Sequence, residues 1–521
     1  MKTALSVTLG AWRAAPAGIE QIAMVHRSSP GRGIGHGLTG RRFAALLGAL
    51  ALLGGCGSRA GDGPIRASIV GDPVTRPDRV GPATGQADRM LATMTGAGLV
   101  TFDENGQIRP ALAQRWIVTD DGLSAIFRLD RDARLAGRPV SADAVARRLR
   151  AALARQRTTA LGAALAAIDE VAVMTPDVIE MRLKLPRPPL LDLLARPELA
   201  VAGAVPGPDS GGGFRGGARR GGWLTLTPLA AADTPPPPAL WLRGEPAARA
   251  LARFSLGHAD LVLGGSVVDW PLVRAAAIPA RLVRTDPAEG LLGLVPARGG
   301  GLAGDPGNRA ALAMAIDRDA LGRLLDAPRW RPDLAVLPQP YGTAAAPHVP
   351  EWATLGLADR RATAAGRIAM WLARGRGRTA EVRLFLPPGP GSRLMFAALA
   401  ADWRRIGVTA LPASRAEADL LLIDEVAPAP SAIWYLARLA CPAPAICPAE
   451  AGEALAAARA ATDPAERGRL LTVADRGIGA AALYIPIARP LRWSVVAQRF
   501  NLFRDNPRAV HPLDRLIQPR R

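Results

Sequence analysis

The side chains able to do chemistry are few and mostly isolated. Asp424 and Glu425 follow the apolar run Leu420-Leu-Leu-Ile423, with Trp434 and Tyr435 a short way downstream. Neighbouring carboxylates can act as general acid and base. Nothing in the sequence pairs these two, however, and a solvated loop is the plainer place for both. Downstream of Cys56 the histidines are His258, His348 and His511, too scattered for H-E-x-x-H or similar ligand spacing. The only lysines, Lys2 and Lys184, do not follow a glycine, so no Walker loop cradles a phosphate. There is no G-x-S-x-G elbow for a nucleophilic serine. The string Gly35-His-Gly-Leu-Thr-Gly40 satisfies G-x-G-x-x-G, but no strand precedes it and composition explains it. The chain reads as non-catalytic, with no catalytic residue, no metal site and no cofactor.

The cysteines carry more information. Arg27, Arg32, Arg41 and Arg42 precede the apolar run Phe43–Leu53, which ends in Gly54-Gly55-Cys56. A basic stretch, a short apolar run and small residues are the marks of a secretory signal, and the run is too short to stop in a membrane as a helix. Leu53-Gly-Gly-Cys56 resembles a bacterial lipobox, which implies that Cys56 is acylated and becomes the mature N-terminus. Gly57 in the second position resembles lipoproteins released to the outer membrane. Residues 1–23 do not fit such a signal, so Met24 is an alternative start. Cys441 and Cys447 remain, and in an oxidising periplasm an even remainder reads as one disulfide. The rival, a metal site, needs more ligands than two cysteines provide.

Composition sets the frame for these residues. The chain has 521 residues, 49% of them apolar and 21% charged, so it can bury several cores. The 55 glycines and 47 prolines call for many turns. The net charge is +20, yet all but two of the 65 basic residues are arginine, a bias matched by the alanine richness and typical of a GC-rich genome. No basic run with interleaved aromatics or zinc spacing marks a nucleic-acid surface. Residues 57–64 suit a flexible tether. Asn105-Gly106 predicts a hairpin, and Ala125–Leu129 a strand after the turn Asp120-Asp-Gly122. Ser141 predicts an N-cap for a helix carrying Val145, Leu149 and Leu153, with Arg147, Arg148 and Arg150 outward. Further on come a strand over Val382–Leu386, a helix with Met395, Leu399, Trp403 and Ile406 on one face, and a strand over Leu420–Ile423. Asp463-Pro-Ala-Glu466 is a capping box opening another helix. Leu483–Ile487 is a strand placed at an edge by Pro486. This alternation argues for α/β lobes.

Several blocks, in order, resemble the family 5 extracellular solute-binding proteins, the peptide- and nickel-type components of bacterial ABC importers. The strongest is Gly98-Leu-Val-Thr-Phe-Asp-Glu-Asn-Gly-Gln-Ile-Arg-Pro-Ala-Leu-Ala-Gln-Arg-Trp116, continuing through Thr119–Gly122, Phe127-Arg-Leu129 and Gly137–Val145. Gly257-His-Ala-Asp260, Asn308–Arg318 and Ala465-Glu-Arg467 follow. The resemblance implies an α/β, two-lobed periplasmic-binding-protein fold of type II, in the large peptide-binding class, with an extra subdomain. On that basis residues 1–55 are the signal region and 56–64 the lipid-anchored tether. Residues 65–96, 201–298 and 485–521 form the first lobe, 97–200 the extra subdomain and 299–484 the second lobe. A peptide-like solute is bound between the lobes, and the permease and ATPase are separate chains. The protein is then an envelope-anchored periplasmic monomer that touches the membrane only through its lipid and does not bind nucleic acid.

The departures bear on the ligand. The family's glycine-threonine-glycine-proline-aromatic turn is represented by Ser210-Gly-Gly-Gly-Phe214, which makes Gly212 and Gly213 candidate binding residues. The aspartate that holds a peptide's amino terminus in the family is replaced by Val426 in Val426-Ala-Pro-Ala-Pro430. Asp424 or Glu425 then substitutes, since a buried ammonium needs a paired carboxylate, or the ligand is not a free-amine peptide. Trp434 and Tyr435 either line the pocket or fill core. An envelope lipoprotein that kept the fold and lost transport, with a structural or chaperone-like role, is the alternative.

Overall fold

The structure is a computed structural model describing residues 63–516, except 76–83, 136, 188, 206–212, 230–237, 376–378, 442–445 and 447. The lipobox with Cys56, and likewise Gly212 and Cys447, lie outside the described residues. Among the described residues no helix is long and apolar enough to cross a membrane.

A seven-stranded sheet organises the first lobe. Its order is Phe214–Arg220, Trp223–Pro228, Leu240–Glu245, Ile65–Val70, Leu261–Ser266, Arg492–Val496 and Val283–Asp286. Ile65–Val70 runs parallel to both its neighbours and is almost wholly buried. Ile65, Ala67, Ile69 and Val70 supply its apolar faces, while the buried Ser68 hydroxyl donates to Glu245 and Arg66 pairs with Asp260. The helix Ala247–Ser255 makes the crossover between the strands on either side of it and buries Ala250 and Leu251.

A five-stranded sheet organises the second lobe, in the order Thr409–Pro412, Glu381–Phe385, Leu420–Val426, Gly290–Pro296 and Ile485–Ala488. The helix Pro390–Arg404 buries Met395, Leu399 and Trp403. Ile485–Ala488 ends the sheet, where the missing N–H of Pro486 costs no ladder hydrogen bond. Two strands correct the sequence partition. Gly290–Pro296 and Ile485–Ala488, given by sequence to the first lobe, both pair in the second sheet. The chain therefore crosses between the sheets at Asp286–Gly290 and returns at Ala488–Arg492. Gly290 has φ 155°, and a Cβ there would lie 2.0 Å from the Glu425 carbonyl oxygen, so a glycine is required where the crossing enters the second sheet.

The extra layer is a four-stranded antiparallel sheet, Ala113–Val118, Ser124–Leu129, Val178–Leu183 and Ile168–Thr175. The helix Ala142–Gln156 lies over it and shares a core with Phe127, Leu129, Ile179 and Met181. Ser141 caps this helix, its hydroxyl accepting from the Ala144 amide at 3.3 Å. Ser141→Ala is expected to lower stability by about 1 kcal/mol, read as a shift in the urea midpoint at unchanged slope. Asp463 caps its helix by accepting from the amides of Ala465 and Glu466. Glu466, placed by sequence to complete the box, pairs with Arg469 instead.

Behind the crossings the two lobes share one hydrophobic core, with Trp270, Trp493 and Val495 from the first sheet side packed among Leu292, Leu312 and Trp403 from the second. The block Asn308–Arg318 sits in that core, and its two arginines have structural duties. Arg309 donates to the carbonyls of Ala303, Gly304, Ala481 and Ala482. Arg318 donates to those of Pro486 and Ala313, and burial pulls its guanidinium down to about 10. These arginines satisfy carbonyls at helix ends and, at Pro486, on the strand Ile485–Ala488 that would otherwise be buried without partners.

Candidate functional site

A cleft of about 670 Å³ opens where the two sheets and the extra subdomain meet. The helix Gln86–Thr95, the hairpin around Phe102 and the segment 195–200 supply one wall. The end of the strand Leu420–Val426 and the helix Ala432–Leu439 supply the other, and Trp493 and Asp286 lie near the crossings. Such a volume is that of a small-molecule site.

Asp424, Glu425, Trp434 and Gly213 all line this cleft. The two acids are not in a solvated loop: the strand continues through Val426, opposite Gly290–Pro296. Each acid is already engaged. Asp424 Oδ1 accepts from Arg492 Nη1 at 2.7 Å, and the Asp424 carbonyl accepts from Nη2 at 3.0 Å. Asp424 belongs to the second sheet and Arg492 to the first, so this ion pair ties the lobes beside the return crossing. Burial pushes the Asp424 carboxyl up, the Arg492 guanidinium opposes that, and Glu425 adds to it. Glu425 receives a fork from Arg438, with Nη2 at 2.7 Å and Nε at 3.0 Å from Oε1.

Tyr435 does not reach the cleft. It is fully buried, stacked on Tyr341 at 5.8 Å with Trp434 edge-on at 4.8 Å, and burial drives its hydroxyl far above the usual value. Of the pair at 434 and 435, Trp434 forms wall and Tyr435 forms core. Cys441 is disulfide-bonded, and the partner named by sequence, Cys447, lies outside the described residues.

Sequence reasoning missed the arginines that dominate the walls. Glu198 lies between Arg89 at 3.7 Å and Arg196 at 3.4 Å. Arg109 pairs with Asp514 at 2.8 Å. Arg508 bonds to Asp192, donates from Nε to the Gly106 carbonyl, and stands 4.7 Å from the Phe102 ring centre. His511 Nε2 meets Asp286 Oδ2 at 3.1 Å while its ring stacks on Phe503. Asp286 also accepts from the Asn506 amide. These contacts fix the orientation of the His511 ring against Asp286.

No protein-family model matches the chain, and no curated protein matches it in sequence. Solved structures match in fold. The Escherichia coli murein tripeptide binding protein MppA is 17% identical with a TM-score of 0.68, the match covering 86% of this chain and 97% of that one. NikA from Brucella suis, in complex with Fe(III)-EDTA, is 17% identical with a TM-score of 0.69, covering 87% and 100%. Haemophilus influenzae OppA, in complex with RPPGFSPFR, is 14% identical with a TM-score of 0.69, covering 87% and 98%. The chain has the mixed α/β, two-lobed fold of these binding proteins.

Proposed function

We propose that this chain is the extracytoplasmic binding component of an ABC importer, holding a peptide-like solute between its lobes and delivering it to a permease and ATPase made as separate chains. The observation that carries the reading is the cleft itself. Its walls come from both sheets and the subdomain, and only two short crossings, Asp286–Gly290 and Ala488–Arg492, join the strands on either side. A solute touching both walls favours the closed arrangement by its differential affinity, and no covalent step is required. The framework blocks, the short apolar leader and Cys56 support an envelope location with a lipid anchor, and Gly57 supports the outer membrane.

Native mass spectrometry of the full chain, purified from its own envelope without refolding, tests this. An added mass that leaves on mild denaturation is expected, together with a rise in melting temperature when the released solute is returned in excess. A bare protein whose melting temperature no peptide pool moves would instead favour an envelope lipoprotein that kept the fold and lost transport.

A further inference from the structure

Among the described residues, every carboxylate on the cleft wall already faces a cation or a nitrogen. Asp424 has Arg492, Glu425 has Arg438, Asp514 has Arg109, Asp286 has His511, and Glu198 has Arg196 and Arg89. A ligand ammonium entering this cleft would have to displace an arginine, or His511 from Asp286, in one of these pairs. Arg196 is in the opposite position. Its side chain is 19% exposed on the cleft wall, and its one ionic contact, Glu198, lies 3.4 Å from Nε. Among the described residues its guanidinium makes no hydrogen bond, and the buried Nε has only the longer ionic contact to Glu198. Glu198 is shared with a second arginine, and Arg508 lies close enough to Arg196 for the two charges to oppose each other. A partly buried guanidinium with idle donors and a divided counter-charge gains more from an incoming carboxylate than a satisfied one does.

We infer that the solute bound in this cleft carries a carboxylate that docks on Arg196, and that its recognition needs no free ammonium. The inference rests on the solute-binding reading above and names the ligand class within it. Three probes separate the charges: trialanine, its N-acetyl derivative and its C-terminal amide, each titrated into the full chain with melting temperature and calorimetry as readouts. The acid and the N-acetyl acid bind alike, and the amide binds at least about tenfold more weakly. Arg196→Gln brings the acid down to the level of the amide. Glu198→Gln, which removes the competing carboxylate, strengthens acid binding, a change of opposite sign that a merely structural role for the pair would not give.

An amide that binds as well as the acid, or acid binding that Arg196→Gln leaves unchanged, overturns the carboxylate assignment while the binding reading stands. If none of the three binds, the mass that co-purifies with the protein decides. An acidic solute kept by the native chain and lost from Arg196→Gln supports the inference, and a solute without an anionic group overturns it. A protein that comes out bare and binds none of the three removes both readings together.

Discussion

Arg492→Gln is expected to cost about 3–5 kcal/mol at neutral pH, and Asp424→Asn in the same chain is expected to restore most of that. The pair sits where the return crossing enters the first sheet, and the Asp424 side chain is 11% exposed. Removing the arginine leaves a desolvated carboxylate that the neighbouring Glu425, of the same sign, further disfavours. Breaking one partner of a buried ion pair costs far more than replacing both, which is why the neutral double variant recovers. The pH dependence has a definite sign. Burial already holds the Asp424 carboxyl above its usual value, so its contribution to stability is present below the unfolded pKa and is lost as pH rises through the folded one. Without Arg492 the folded value climbs further. The gap between Arg492→Gln and the native chain should therefore be widest near neutrality and narrow on acidification. Urea midpoints measured across that range check it. A constant gap, or a double variant no better than the single one, would show that Arg492 stabilises through packing alone.

The parts of the fold legible in the sequence are those where local pattern and tertiary context agree. Leu420–Ile423 is a strand because its residues are apolar and flanked by polar ones, and Pro486 marks a sheet edge because a proline cannot serve an inner ladder. The helix with Met395, Leu399 and Trp403 follows from spacing alone. The lobe boundary was less visible. Gly290–Pro296 reads as one more apolar strand, and only its pairing with Leu420–Val426 reveals which sheet receives it. The candidate acids at 424 and 425 were visible as residues, while their partners were not. Arg438, Arg492, Arg196 and Arg508 are four among more than sixty arginines, and no spacing separates those that enter the cleft from those that face solvent. Long-range pairs such as Asp424 with Arg492 carry no local signature at all. The ambiguity between wall and core at Trp434 and Tyr435 has the same origin, since consecutive helical residues differ by about 100° in direction and nothing local says which way the cleft lies.

Trp493→Ala is expected to lose about 3–5 kcal/mol of stability, and the reason lies in what surrounds the ring. Its Nε1 donates to the Ser266 carbonyl at 2.9 Å, and its indole meets Trp270 edge-on at 6.5 Å. Trp270 in turn donates to the carbonyls of Leu325 and Asp326 in the second lobe. The two tryptophans therefore form the seam of the core that both lobes share, and Trp493 also borders the cleft. On the sheet itself the ring packs against Gly265, where a Cβ would come within 1.9 Å of it. Gly265→Ala alone should cost about 1–3 kcal/mol by overpacking against the ring. In the Trp493→Ala background that clash is gone and the added methyl enters the vacated space, so Gly265→Ala should become nearly neutral or slightly stabilising. The non-additivity between the two sites is the quantity to measure, by urea unfolding of both single variants and the double one. Additive effects would mean that the strand Leu261–Ser266 relaxes away from the ring, and the seam would then be set by Trp270 and its two carbonyl bonds rather than by contact between Trp493 and the sheet.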